Sequence, residues 1–233
     1  MTEFVRGVET GLGLGTSGDV VVLTRDLFDA IEFDAACSGD HRAAAEQMIN
    51  LAASGTQTRE FPRSEAYLRA GEQWLLADDP AAAARGFRRA LEDGGPAFVD
   101  PRVPLARALF LMDKPDEAES LIRQIEKEQP SDPRIYDLVA ELLMERSDLT
   151  GALRWATTGV GLCLGRLGAG WDAGAPALAD RPVISTAKGD PTELRLLLTL
   201  RYRIRNDLGL PEDDYDRLLD EFPSGPARPA GNS

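Results

Sequence analysis

Two neighbouring segments decide the fold: Tyr67-Leu68-Arg69-Ala70-Gly71-Glu72-Gln73-Trp74 and, after a short break, Pro80-Ala81-Ala82-Ala83-Ala84-Arg85-Gly86-Phe87-Arg88-Arg89-Ala90, with Pro96 beyond them. In both, small and bulky residues recur at the three- and four-residue spacing of a helix face. Gly71 and Ala83 are small where two antiparallel helices would cross, while Trp74 and Phe87 are large beside that crossing and fill the space on either side. This arrangement specifies a helical hairpin. Asp79-Pro80 sets a good N-cap before proline at the first helical position, and Asp100-Pro101 and Asp132-Pro133 repeat the same start signal downstream.

The hairpin recurs. From Ala83 a step of 35 residues reaches Ala118, and a further 34 reach Ala152. Leu105-Ala106, Leu109, Ile122, Ile125 and Pro130 surround the first of these; Tyr136, Val139-Ala140, Leu143, Ala156 and Gly159 surround the second. A weaker copy lies upstream in Phe28, Ile31, Ala35, Ala44, Met48 and Leu51, with Glu32 in the glycine's place. A constant period of this size signals stacked repeats. The pattern resembles the tetratricopeptide (TPR) repeat, in a degenerate bacterial form. Tyr67, Ala70, Gly71, Trp74, Ala83, Phe87, Ala90 and Pro96 occupy its places, with Ala70 for the usual Leu and Pro96 one residue late. The resemblance implies an all-α, helix-turn-helix repeat solenoid with about four repeats.

The boundaries expected are a flexible leader over 1–22, TPR-like repeats over 23–165, a Gly/Pro-rich loop over 166–189, C-terminal capping helices over 190–222 and a disordered tail over 223–233. Glycines from Gly159 onward are expected to fray the last repeat helix. Asp190-Pro191-Thr192-Glu193 restarts a helix carrying Leu194, Leu197, Leu198, Ile204 and Leu208, which Gly209 ends. A short helix after Pro211 follows, through Leu218, Leu219 and Phe222. These two helices would shield the open end of the stack.

The formal charge of −13 disfavours nucleic acid and anionic membrane as partners, since both attract basic surfaces. With 43% apolar and 28% charged residues the chain can build a core. The start lacks a secretory signal and no stretch of about 18 apolar residues would span a membrane, so a cytoplasmic location is expected. Cys37 and Cys163 are too few for a disulfide framework or a zinc cluster, and a reducing setting fits them.

No residue constellation points to catalysis, so the chain is expected not to be an enzyme and to need no cofactor or metal. Gly11–Gly18 is glycine-rich, but Asp19-Val20 stand where a phosphate loop needs Lys-Ser/Thr. His41 is the sole imidazole, beside Asp40 in the expected turn of the first hairpin, with no nucleophile tied to it by a motif. Glu212-Asp213-Asp214 reads as helix capping. Arg195, Arg201, Arg203 and Arg205 are spread around their helix and read as partners for the acidic repeats. Residues 205–211 resemble a segment of bacterial TPR proteins that sometimes carry a zinc motif, but the motif's Cys and His ligands are absent.

The resemblance places recognition in the concave groove of the first helices. Carrying the inward positions across by register gives the partner-binding candidates Asp29, Phe33, Glu65, Leu68, Glu72, Leu75, Arg107, Phe110, Asp137, Glu141 and Met144, with Asp26, Val103 and Arg134 beside them. Acidic residues stand where one TPR class clamps a chaperone's C-terminal carboxylate, so that clamp is not assembled. The expected function is a protein-protein interaction scaffold, an adaptor or regulator that takes a basic peptide with apolar anchors. The competing readings are self-association, for example as a homodimer, and a regulator contacting nucleic acid through the Arg-bearing C-terminal helix. Solvation of the groove by its carboxylates is the bland alternative.

Overall fold

The computed structural model describes residues 21–166 and 192–220. The expected leader up to residue 20, the Gly11–Gly18 run, the Gly/Pro-rich loop from residue 167, the Asp190-Pro191 start signal, Phe222 and the tail lie outside these residues. The described chain forms ten helices: α1 (Arg25–Ser38), α2 (His41–Ser54), α3 (Arg63–Leu76), α4 (Pro80–Asp93), α5 (Arg102–Leu111), α6 (Pro115–Glu128), α7 (Pro133–Glu145), α8 (Leu149–Arg166), α9 (Thr192–Asp207) and α10 (Asp214–Leu219). Consecutive helices pack in pairs and each pair packs on the next, an all-α helical repeat solenoid.

The α3–α4 hairpin shows why the pattern has its sequence. A Cβ built on Gly71 would stand 2.4 Å from Cε1 of Phe87, and one built on Gly86 would stand 3.1 Å from the Gly71 Cα. The two helices therefore meet backbone to backbone through a glycine on each, with the Phe87 ring laid over the first. Ala83 is fully buried as expected, but Gly86 shares the crossing.

Each of the four hairpins closes through one residue in the left-handed conformation: Gly39 (φ 78°), Asp78 (φ 56°), Asp113 (φ 56°) and Ser147 (φ 61°). In the last three, the next N–H reaches back to the helix just ended, Asp79 to the Trp74 carbonyl, Lys114 to Leu109 and Asp148 to Leu143, all at 2.9 Å. Asp40, Asp79 and Asp148 then cap the second helix by accepting from the N–H of Ala43, Ala82 and Gly151. Lys114 makes no such cap. Asp132 caps α7 as expected; Asp100 accepts from the Arg102 N–H at 3.0 Å, and α5 begins one residue later than its proline.

Two differences from the sequence expectations have clear causes. α8 does not fray at Gly159 but continues to Arg166. There the missing side chain admits its neighbours, since a Cβ on Gly159 would lie 2.7 Å from Tyr136 Cβ and 3.0 Å from the Leu197 methyls. Two arginines of α9 are engaged outside the acidic repeats: Arg201, 4% exposed, pairs with Asp213 at 2.5 Å and Asp216 at 3.2 Å, and Arg205 reaches the same two carboxylates. Arg201 also donates to Thr157 Oγ1 at 3.0 Å, tying α8, α9 and α10 together.

The core has two parts. The smaller gathers Phe28, Ile31, Met48 and Phe61 with Ala66 and Ala70 of α3, the larger takes in Ala45 of α2 and runs from Leu68 to Leu218, and Tyr67 packs against both. Arg69 of α3 fastens α1 across this junction, donating to Glu32 through Nε at 2.6 Å and to Asp29 at 2.6 Å, with Phe28 and Phe61 each 5.9 Å from its guanidinium.

Gly71→Ala is expected to cost about 1–3 kcal/mol through overpacking against Phe87. The lost urea midpoint should be partly regained when Phe87→Leu is added. At the turn, the stability order expected is Ser147→Gly above the native residue and Ser147→Val below it by roughly 1–2 kcal/mol, because a left-handed backbone penalises a branched Cβ most. Urea denaturation of the three chains gives the order directly.

Candidate functional site

α1, α3, α5 and α7 are the first helices of the four hairpins, and the 34- to 35-residue period brings equivalent positions of the last three onto one face. Between α3, α5 and α7 that face is indented by a cavity of about 310 Å³, lined by Glu72, Leu75 and Leu76 of α3, Val99, Val103, Pro104 and Arg107, and Leu138 of α7. Four of the inward positions expected from sequence, Glu72, Leu75, Val103 and Arg107, meet there. The walls are mostly aliphatic, and the polar groups are one carboxylate and one guanidinium.

The other candidates divide. Asp29 is engaged by Arg69 in holding α1 to α3. Glu65 is 8% exposed, and its Oε2 accepts from the Phe98 N–H at 2.7 Å, fixing the loop before α5. Leu68 is 1% exposed: it stands three residues before Gly71 on a side of α3 turned to the core, so it is a packing residue and not a surface one. Phe33 is 68% exposed on α1. Phe110 carries the Arg146 guanidinium over its ring at 5.0 Å, and Met144 is half-buried one position before Glu145. Arg107 is paired with Glu145 at 2.8 Å. Asp26 is exposed, and Arg134 is bound to Asp132 and stacked at 4.6 Å on Phe98.

The inward register missed Leu76 and Leu111, which are 62% and 63% exposed at the ends of α3 and α5. Their 35-residue separation is the repeat period, and each stands two residues before its left-handed turn residue, so the register carried one position further would have found them. In the next repeat that position is Glu145, and the apolar row ends there in the Arg107 ion pair.

Other candidates for chemistry are structural. His41 begins α2 and is not in the turn; its Nδ1 is 2.9 Å from Oε1 of the buried Gln73. Cys163 is buried, which pushes its thiol up to about 11 and keeps it neutral, while Cys37 is exposed at the end of α1.

The electrostatics of the cavity face are set by unpaired carboxylates. Among the described residues Glu72, Asp137 and Glu141 have no hydrogen bond or ion pair to their side chains. Glu72 is open to water at its edge yet crowded by the indented wall, and this desolvation pushes it up to about 7. Glu32 and Glu65 add to the rise, and Arg69 and Arg107 oppose it. Burial and Glu141, one turn away on α7, push Asp137 up to about 6.

A carboxyl raised in the folded chain stabilises it fully below the unfolded value and loses that contribution as pH climbs through the folded one. For Glu72 the window runs from 4.5 to about 7. Glu72→Gln is therefore expected to match the parent chain in urea at pH 4 and to exceed it at pH 8. Equal midpoints at both pH values would remove the crowding argument.

Among the described residues no helix is long and apolar enough to cross a membrane. No curated protein and no solved structure matched the chain. Residues 75–142, from the end of α3 into α7 and including the cavity's α5 wall, match the family model described as tetratricopeptide repeat. Repeats of this kind generally serve as protein-interaction modules and are typically non-enzymatic. That match makes residues 75–142 similar to a tetratricopeptide repeat and supports a place for the chain in that family, in keeping with the period, the glycine crossing and the four like hairpins.

Proposed function

We propose that the chain is a non-catalytic adaptor that holds a basic peptide segment, with an aliphatic or aromatic anchor, against the face of α3, α5 and α7. The cavity carries this reading: apolar walls from three successive first helices around an unpaired Glu72. A space of about 310 Å³ takes one large apolar side chain. Asp137 and Glu141 continue the negative charge along α7, while the one cation of the lining, Arg107, is offset by Glu145. A cationic side chain placed at Glu72 would convert a costly crowded carboxylate into an ion pair.

Leu76 and Leu111, one repeat apart, favour self-association as the second reading, since exposed apolar side chains also suit a homomeric contact, and Phe33 is a further exposed apolar side chain on α1. The nucleic-acid reading loses support, because Arg201 and Arg205 are engaged by Asp213 and Asp216. The free cysteines suit a reducing, cytoplasmic setting.

Panning a random 12-residue peptide library against the full chain is expected to return a class combining Lys or Arg with a bulky apolar residue. That class should lose at least tenfold in affinity for the Glu72→Arg/Glu141→Arg chain. Failure to recover it, or its indifference to both substitutions, sinks the proposal. A mass that doubles with concentration and falls on Leu76→Ser/Leu111→Ser would support the second reading.

A further inference from the structure

A second cavity, of about 350 Å³, lies on the other set of helices, between α2 and α4. Ala82 and Gly86 give it a floor without protruding side chains, Trp74 of α3 closes the bottom, and Asn50 and Glu46 of α2 face Arg85 and Arg89 of α4. From Ala82 to Arg89 the trough follows α4 for about 10 Å. It shares no residue with the cavity between α3, α5 and α7.

The arginines distinguish this trough from the rest of the surface. Their neighbours are occupied, Arg42 by Asp79 at 3.4 Å and Arg88 by Glu117 at 3.7 Å. Among the described residues, Arg85 and Arg89 make no ion pair and no hydrogen bond; Arg89 only lies over the Tyr67 ring, at 5.8 Å. They stand one turn apart, so their side chains share a helix face about 5–6 Å from each other at the Cβ atoms. Two like charges at that spacing destabilise a helix slightly. Here they persist in a chain of net charge −13 with acidic residues in surplus. Arg42 lies 5.0 Å over the Trp74 ring but is held by Asp79, so the cationic wall of the trough is Arg85 and Arg89.

We infer that the α2–α4 trough is a second recognition site, and that its ligand is an acidic segment of a protein partner. Carboxylates one turn apart on a partner helix, or two residues apart on an extended segment, match the Arg85–Arg89 separation and allow forked guanidinium contacts. Asn50 supplies a neutral donor on the opposite wall. Glu46 is the one opposing charge, which gives the proposal a sign: neutralising it must help an anion and hurt a cation.

The library panned on the full chain should return an acidic class distinct from the basic one. A synthetic peptide of its consensus, followed by fluorescence anisotropy, should bind Arg85→Glu/Arg89→Glu at least tenfold more weakly, Glu46→Gln two- to fivefold more tightly, and Glu72→Arg without change. Absence of an acidic class overturns the inference. So does an acidic peptide that ignores the arginine substitutions or weakens on Glu46→Gln, and so does binding of single-stranded DNA that those substitutions abolish while no peptide competes. Since the basic class is read on Glu72 and the acidic class on Arg85 and Arg89, either site can fail while the other stands.

Discussion

The contact of Phe87 with the bare backbone of Gly71 governs the molecule. It brings α3 and α4 to backbone distance, and every other element takes its place from that hairpin. With a side chain at residue 71 the two helices would part, and the α3, α5 and α7 faces would no longer meet around one indentation. The same device serves the far end of the stack in different chemistry, where Gly159 receives Tyr136 on one side and Leu197 on the other. Glycine is helix-weakening by intrinsic preference, and at these positions close approach outweighs that preference.

Register follows from the turns. A left-handed residue stands two positions beyond α3, α5 and α7, and one beyond α1, so the chain turns back at matching points of the repeats. Equal offsets then become equal places on a surface: position 76 and position 111 belong to one row because the turns are alike. Lys114 is the irregular member, since it begins α6 without a capping oxygen and relies on Glu117 at 3.0 Å and on the acidic first turn.

How much could be read beforehand depended on whether a residue's role was local. The crossing glycine, the caps and the period are local, and Gly71, Asp79 and the Ala83–Ala118–Ala152 ladder were legible in the sequence. The fates of Asp29, Glu65 and Leu68 were not, because they are decided by residues 30 to 40 positions away: Arg69 reaches Asp29, the Phe98 N–H reaches Glu65, and the core closes over Leu68. Sequence pattern assigned all of them to one face, and tertiary packing divided that face into surface and interior. The partners of Arg201 and Arg205 were illegible for the same reason, since Asp213 and Asp216 come to them only once α10 folds back.

The division of the core has a consequence for how such a chain changes over time. The nucleus around Phe28 and Phe61 takes in Ala66 and Ala70 of α3, Ala45 of α2 belongs to the larger cluster, and the His41–Gln73 contact, the Arg42–Asp79 pair and the Arg69 fork bind the same two hairpins. In an array coupled only between neighbours, a unit joined through so broad a seam is not a separable module. Its loss by recombination near residues 55–62 would bare Ala66 and Ala70 on α3, beside the Gly71 crossing. The first hairpin is thus constrained to change in step with α3.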